Sequence, residues 1–335
     1  MRIGGPINKY YDYYRQFLAE LHEPVMWSDS LSSINVSKAK KINKCVTPLV
    51  MTEQKAKLEG FWWYKNLLKI FYIAEKEGLV RDIVVHGSYG DFSMTSFSDL
   101  EITIFIDESV FQDFYRKELF SFWVKKHLNK FIVRVDPIQH HGAFYIWPDL
   151  LSEYSELILP CCAYNSCWSL RGKKLEFFVN DDINFFKKES SFRLRATLEI
   201  LSDPELNFFR LGFNDYSVKR YLSNLMLIPA FYYQSKGDLI SKREAILRFI
   251  KEFPSGFTES LLTAGRIRER WSSQYGALGV ARPLFVSERI PQGRLDLMIL
   301  SVFSKNKNNK LFQIDDFWAA RRNSQEFLEV LCGNC

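Results

Sequence analysis

At 335 residues the chain is long enough for about two domains of roughly 150 residues each. It carries 45 lysines and arginines against 39 aspartates and glutamates, a net charge of +6, and is 47% apolar, which excludes a disordered or fibrous chain. The 29 phenylalanines, 16 tyrosines and 8 tryptophans predict bulky cores and leave rings to spare for stacking on a base. No stretch reaches the ~18 uninterrupted apolar residues of a membrane helix, and the first residues lack the apolar run of a secretory signal. The six cysteines form no evenly spaced disulfide framework, so a reducing, cytoplasmic setting away from membranes is the expectation. Cys332 and Cys335 form a lone CxxC that could combine with Cys161, Cys162 and Cys167, but without a second CxxC no zinc site is expected.

In chain order, residues 6–22 read as helical, followed by an irregular polar stretch to Pro48. A long helix is predicted from Glu53 to Glu77, with Phe61, Tyr64, Leu68, Phe71 and Tyr72 on one face and Gly78 as its stop. Ile83-Val84-Val85 is a β-branched strand broken by His86-Gly87-Ser88, and Leu100 to Ile106 is a second strand. A helix covers 108–127, Phe131 to Val135 reads as a third strand, and another lies near Lys174 to Val179. From Asn184 onward the pattern is helical. Tyr221, Leu225, Ile228 and Tyr232 share a face, Pro229 predicts a kink, and Gly237 ends that helix. Ser241 to Glu244 has capping-box spacing and opens a helix burying Ile246, Leu247 and Ile250. The fold class is therefore α+β, in three segments: an N-terminal helical extension over 1–54, a mixed-sheet domain over 55–182 and a helical domain over 183–335.

The chemistry concentrates between His86 and Ile102. Asp99 and Glu101 stand two apart at the start of a strand, which turns both carboxylates to one side. Two such carboxylates repel unless a cation sits between them, and that donor set suits Mg²⁺ together with substrate phosphates. The Gly87-Ser88 turn after the preceding strand leaves backbone N–H groups and a hydroxyl for phosphate oxygens. Lys242 and Arg243, in the first turn of the helix that Ser241 caps, form a second anion-facing feature. His140 and His141 come after the third strand, where one of them is a candidate substrate contact.

Gly87-Ser88, a short spacer and Asp99-Leu100-Glu101-Ile102 together resemble the nucleotidyltransferase superfamily that includes DNA polymerase beta. The longer string from Gly87 to Glu101 is similar to uridylyltransferases and to small antibiotic-modifying nucleotidyltransferases. The resemblance implies a palm-like mixed sheet followed by a helical substrate-binding domain. It also implies a third carboxylate on a later strand, for which Asp136 is the candidate, with Asp149 and Asp107 behind it. The activity it implies is transfer of a nucleoside monophosphate from a triphosphate, ATP foremost, to an acceptor hydroxyl with release of pyrophosphate. Asp99, Glu101 and Asp136 would hold two Mg²⁺ ions, and Asp136 would take the acceptor's proton. Gly87, Ser88 and Lys242 would bind the nucleotide. Glu101 replaces the commoner second aspartate of that pattern.

A small-molecule acceptor leads, because the helical region resembles the bundle of the antibiotic-modifying members. RNA, at a tRNA 3′ end, or a second nucleotide, as in messenger synthesis, is the alternative. A catalytically inactive nucleotide-binding module is the reading from another class. The sequence leaves the oligomeric state open.

Overall fold

A computed structural model describes residues 43–139, 142–146, 161–171, 176–180, 183–202, 214–253, 256–285, 298–300, 302, 308 and 311–333. The expected helix over 6–22, His140, His141, Asp149 and Cys335 lie outside the described residues. The architecture is α+β, with a mixed five-stranded sheet and many helices. Strands β1 (Asn43–Val46) and β2 (Leu49–Val50) precede helices α1 (Glu53–Leu58) and α2 (Tyr64–Lys76). Then come β3 (Val80–Val85), a single turn α3 (Gly87–Gly90), β4 (Ile102–Ile106), α4 (Ser109–Gln112), α5 (Phe114–Trp123), α6 (Asn129–Val135) and β5 (Phe144–Ile146). The short strands β6 (Trp168–Ser169) and β7 (Phe177–Asn180) come next. The main sheet runs β2-β6-β3-β4-β5, while β1 pairs with β7 in a separate antiparallel ladder. Residues 43–50 therefore contribute strands to the sheet unit and extend it ahead of the expected start at 55.

Ile83 to Val85 of β3 are all apolar and β4 is apolar but for Thr103, because both faces of the sheet are covered. Ile83, Val85, Ile102 and Ile104 pack with Leu67, Phe71, Phe120 and Ile132 on one side. Val84 and Phe105 face the other side, against Val46, Tyr164, Phe177 and Val179.

The helices differ from expectation in four places. The single helix over 53–77 is two, because Gly60 adopts φ 75°, a left-handed turn that L side chains resist. The break rotates the buried face to Tyr64, Leu67, Phe71 and Ala74 and leaves Tyr72 outside. Residues 131–135 are not a strand. A π turn over Val124–Leu128 joins α5 to α6, so the helical run continues to Val135. Phe131, Ile132 and Val133 are all buried, and a short apolar run has the same signature in a buried helix as in a buried strand. The third strand lies later, at Phe144–Ile146, parallel to β4.

The C-terminal part contains α7 (Ile183–Ser202), α8 (Asp215–Leu225), α9 (Ile228–Lys236), α10 (Lys242–Glu252), α11 (Gly256–Arg270), α12 (Gly276–Phe285) and α13 (Ile314–Gly333). Pro229 does not kink a helix but sits in the first turn of α9, where its missing N–H costs nothing. Gly237 ends α9 at φ 98°, and Ser241 Oγ accepts from Glu244 N at the start of α10. α10 buries Ala245 and Phe249, while Leu247 points outward, so the expected buried set of 246, 247 and 250 is displaced around the helix. α8 is buried on nearly all sides, which marks it as the central helix of this unit. The helical core also takes in Phe97 and Ile138 from the sheet unit. Each stands two residues from an acid, Asp99 and Asp136, so burying these two side chains pulls both acids to the seam between the units. Among the described residues no helix is long and apolar enough to cross a membrane.

Candidate active site

β3 delivers His86 and Gly87 to the sheet's end. Gly87 has φ 63°, a left-handed backbone that favours glycine, and a Cβ placed there would also displace the Glu101 carboxylate. The turn closes through Gly90 N donating to His86 O and Asp91 N donating to Gly87 O, each at 3.1 Å. His86 N donates to Glu101 O at 3.1 Å, which seats Glu101 against the turn. The His86 ring is fully buried between Phe144 and Tyr164, and its Nε2 pairs with Thr103 Oγ1 at 3.0 Å. Ser88 lies half-buried in the same turn.

The acids do not start the strand as expected: β4 begins at Ile102, and 99–101 form the approach to it. Asp99 is buried and Glu101 partly exposed, so the two carboxylates have different surroundings. Asp136 is not on a strand either, because it caps the C-terminus of α6, with its backbone N–H donating to Ile132 O. Arg134, two residues earlier, is exposed while Asp136 is buried. Tertiary packing nevertheless brings Asp136 to Asp99. Lys219 of α8 joins them, with its Nζ 2.5 Å from Asp99 Oδ1 and 2.5 Å from Asp136 Oδ2, and its side chain only 1% exposed.

The electrostatics derive from this arrangement. Burial lifts the Asp136 carboxyl to about 7, with Lys219 opposing the rise and Asp99 adding to it. Burial alone would lower the Lys219 ammonium, but the two carboxylates outweigh it and hold the pKa above the ordinary value. Two carboxylates and one ammonium would carry a net negative charge, so one proton shared within the cluster makes it neutral. The Tyr89 hydroxyl, in the Gly87 turn, is pushed up to about 12, first by burial and then by the charge of Asp136. That influence ties the turn to the carboxylate cluster.

Two further cations from the helical unit hold the loops that carry the acids. Arg268 of α11 reaches Ser93 O at 3.4 Å, Thr95 Oγ1 at 3.3 Å and Ser98 Oγ at 3.3 Å, all in the segment before Asp99. Arg282 of α12, fully buried, donates to Pro137 O at 2.7 Å and Gln139 O at 3.0 Å, just after Asp136. Gln139 Nε2 then donates to Leu100 O at 3.2 Å, linking the two acid-bearing segments. Lys219, Arg268 and Arg282 belong to no sequence motif. Lys219 had a signal: it falls three residues before Leu222 on an apolar helix face, an unusual place for a lysine. Lys242 lies half-buried at the start of α10, and its neighbour Arg243 is near enough to depress the Arg268 guanidinium, which burial already lowers.

The same geometry decides how the acids could hold a metal. Asp99 and Asp136 converge on one positive charge, the Lys219 ammonium, so as a pair they fit one cation. Glu101 stands apart at the Gly87 turn, and among the described residues no three acid, histidine or cysteine side chains are grouped to enclose a metal. No family model, no curated protein and no solved structure matches this chain.

Proposed function

We propose that the protein is a nucleotidyltransferase that moves a nucleoside monophosphate from a triphosphate, ATP foremost, to a hydroxyl of a small acceptor. The observation that carries this reading is the convergence of the buried carboxylates Asp99 and Asp136 beside a Gly87-Ser88 turn whose left-handed backbone favours glycine. The turn's backbone and the Ser88 hydroxyl receive the triphosphate oxygens. Lys242 and Arg268 supply positive charge from the helical unit. Asp99 and Asp136 would hold Mg²⁺, which neutralises charge growing on the attacking and leaving oxygens. Asp136 is also the group that would take the acceptor's proton. Glu101, held at the turn by the His86 N–H, is the third candidate ligand.

A second reading rests on Lys219. Its ammonium already fills the position between two carboxylates that a cation would take, which favours a nucleotide-binding module without transfer. One experiment separates the two. Pyrophosphate release is measured with each nucleoside triphosphate, Mg²⁺ and a panel of hydroxyl acceptors, alongside equilibrium nucleotide binding. Release that Asp99→Asn lowers by several orders of magnitude supports transfer. Binding without release from any acceptor supports the module, and near-normal release by Asp99→Asn sinks the assignment of this centre.

A further inference from the structure

A second site lies on the helical face of the sheet and uses none of the residues of the carboxylate cluster. A groove of about 560 Å³ opens between α2 and the run from the π turn into α6. Its walls carry Lys69, Lys126, Lys130 and Arg134, with His127 among them and Trp62 at the edge. No aspartate or glutamate among the described residues lines it. The His127 imidazole is lowered by burial and then by Lys126 and Lys130.

Three of the cations recur at four-residue spacing, a rise of about 6 Å per step along a helix. Like charges at that spacing destabilise the helix that bears them. An anionic chain along the row is what relieves that repulsion. Trp62 supplies the second half of the recognition. The left-handed turn at Gly60 buries Phe61 and Trp63 but turns Trp62 out, so its indole is 71% exposed beside the cations. An exposed indole next to a row of cations offers a stacking platform and a phosphate track together.

We infer that this groove binds a single-stranded polynucleotide, with its phosphates along Lys126, Lys130 and Arg134 and a base on Trp62. A duplex hides its base faces, and a mononucleotide spans too little of the row. The inference does not depend on nucleotidyl transfer. The groove's lining includes Val135, the residue before Asp136 in the chain, but no member of the carboxylate cluster itself.

The test is fluorescence anisotropy of the full chain with labelled oligouridylate, oligodeoxythymidylate and a duplex, between about 50 and 200 mM salt. Single strands should bind with a Kd that rises at least about tenfold over that range. Lys126→Glu combined with Lys130→Glu should weaken binding by about tenfold or more. Trp62→Ala should weaken it by about fivefold or more. These positions are exposed or half-exposed, so an unchanged melting temperature separates lost binding from lost folding. A preference between the RNA and DNA arms identifies which polynucleotide is taken. Excess Mg²⁺–ATP should leave the single strand bound. The inference is overturned by absence of single-strand binding at low salt, by charge reversal without effect, by a duplex bound as tightly as the single strand, or by displacement with ATP.

Discussion

Lys219 and Asp136, 83 residues apart in the chain, meet at 2.5 Å in an interior where neither side chain is more than 7% exposed. Removing the lysine therefore leaves two buried carboxylates, Asp99 and Asp136, without their cation. Breaking a buried pair in this way costs about 3–5 kcal/mol. The raised Lys219 pKa keeps its contribution in place throughout the neutral range, since such a contribution is lost only as pH rises through the folded value. Lys219→Met should thus lower stability most above about pH 7, where Asp136 ionises, and less near pH 5, where Asp136 takes a proton. Urea unfolding at both pH values checks this. An equal loss at both would mean that the cluster's charge is not what holds the seam.

Asp82 gives a second pH signature. It is fully buried in β3, and burial lifts its carboxyl to about 6 against the opposing hydrogen bonds from Ser169, Ile83 N and Arg171 N. A folded value above the unfolded one means that the native state binds the proton more tightly. Its stabilising contribution is complete below the unfolded value of about 3.9 and is lost as pH rises through 6. Asp82→Asn should flatten the fall in stability between about pH 4 and 7 by up to about 3 kcal/mol. Identical pH profiles for the two proteins would remove Asp82 from the account.

Gly87→Ala meets two penalties, the left-handed backbone and the overlap with Glu101. The first costs about 1–3 kcal/mol. Adding Glu101→Ala removes the second and should return part of the lost stability. Strictly additive losses in the double variant would show that the two residues do not meet at the turn.

Arg268→Ala should loosen the segment that delivers Asp99. Hydrogen exchange of the amides between Ser93 and Ser98 is expected to accelerate by about tenfold or more, the scale of one or two lost charge-assisted bonds. Arg268→Lys should fail to restore protection, because a single ammonium cannot reproduce the forked geometry to three acceptors. Unchanged exchange in Arg268→Ala would assign the loop's order to Phe97 and to the loop's own hydrogen bonds, such as Thr95 N to Ser98 Oγ.

Lys242→Ala tests the cation that sequence spacing picked out. If that ammonium meets the triphosphate, the nucleotide Kd should rise about fivefold or more. Folding should stay intact, since Ser241 holds the cap through Glu244 N. An unchanged Kd would leave Arg268 as the cation proposed to meet the triphosphate from the helical unit.

By itself the sequence determined what local rules govern. The glycine stops at 78 and 237, the Ser241 cap, the paired strands around His86 to Ile106 and the helical C-terminal half each depend on a few neighbouring residues. Gly87 stood out in the sequence only as part of a turn, and its left-handed φ of 63° came from the structure. The rest depended on partners distant in sequence. Residues 131–133 are apolar whichever way the backbone runs, and only their continuation from the π turn made them helix rather than strand. That change placed Asp136 on a helix cap, where Lys219 and not a strand neighbour brings it to Asp99. Lys219, Arg268 and Arg282 carry no motif. Their role arises because Phe97 and Ile138 insert into the helical core, and that burial draws the acid-bearing loops under three cations from three different helices. Pairing across such a distance is set by packing, which one-dimensional periodicity does not encode.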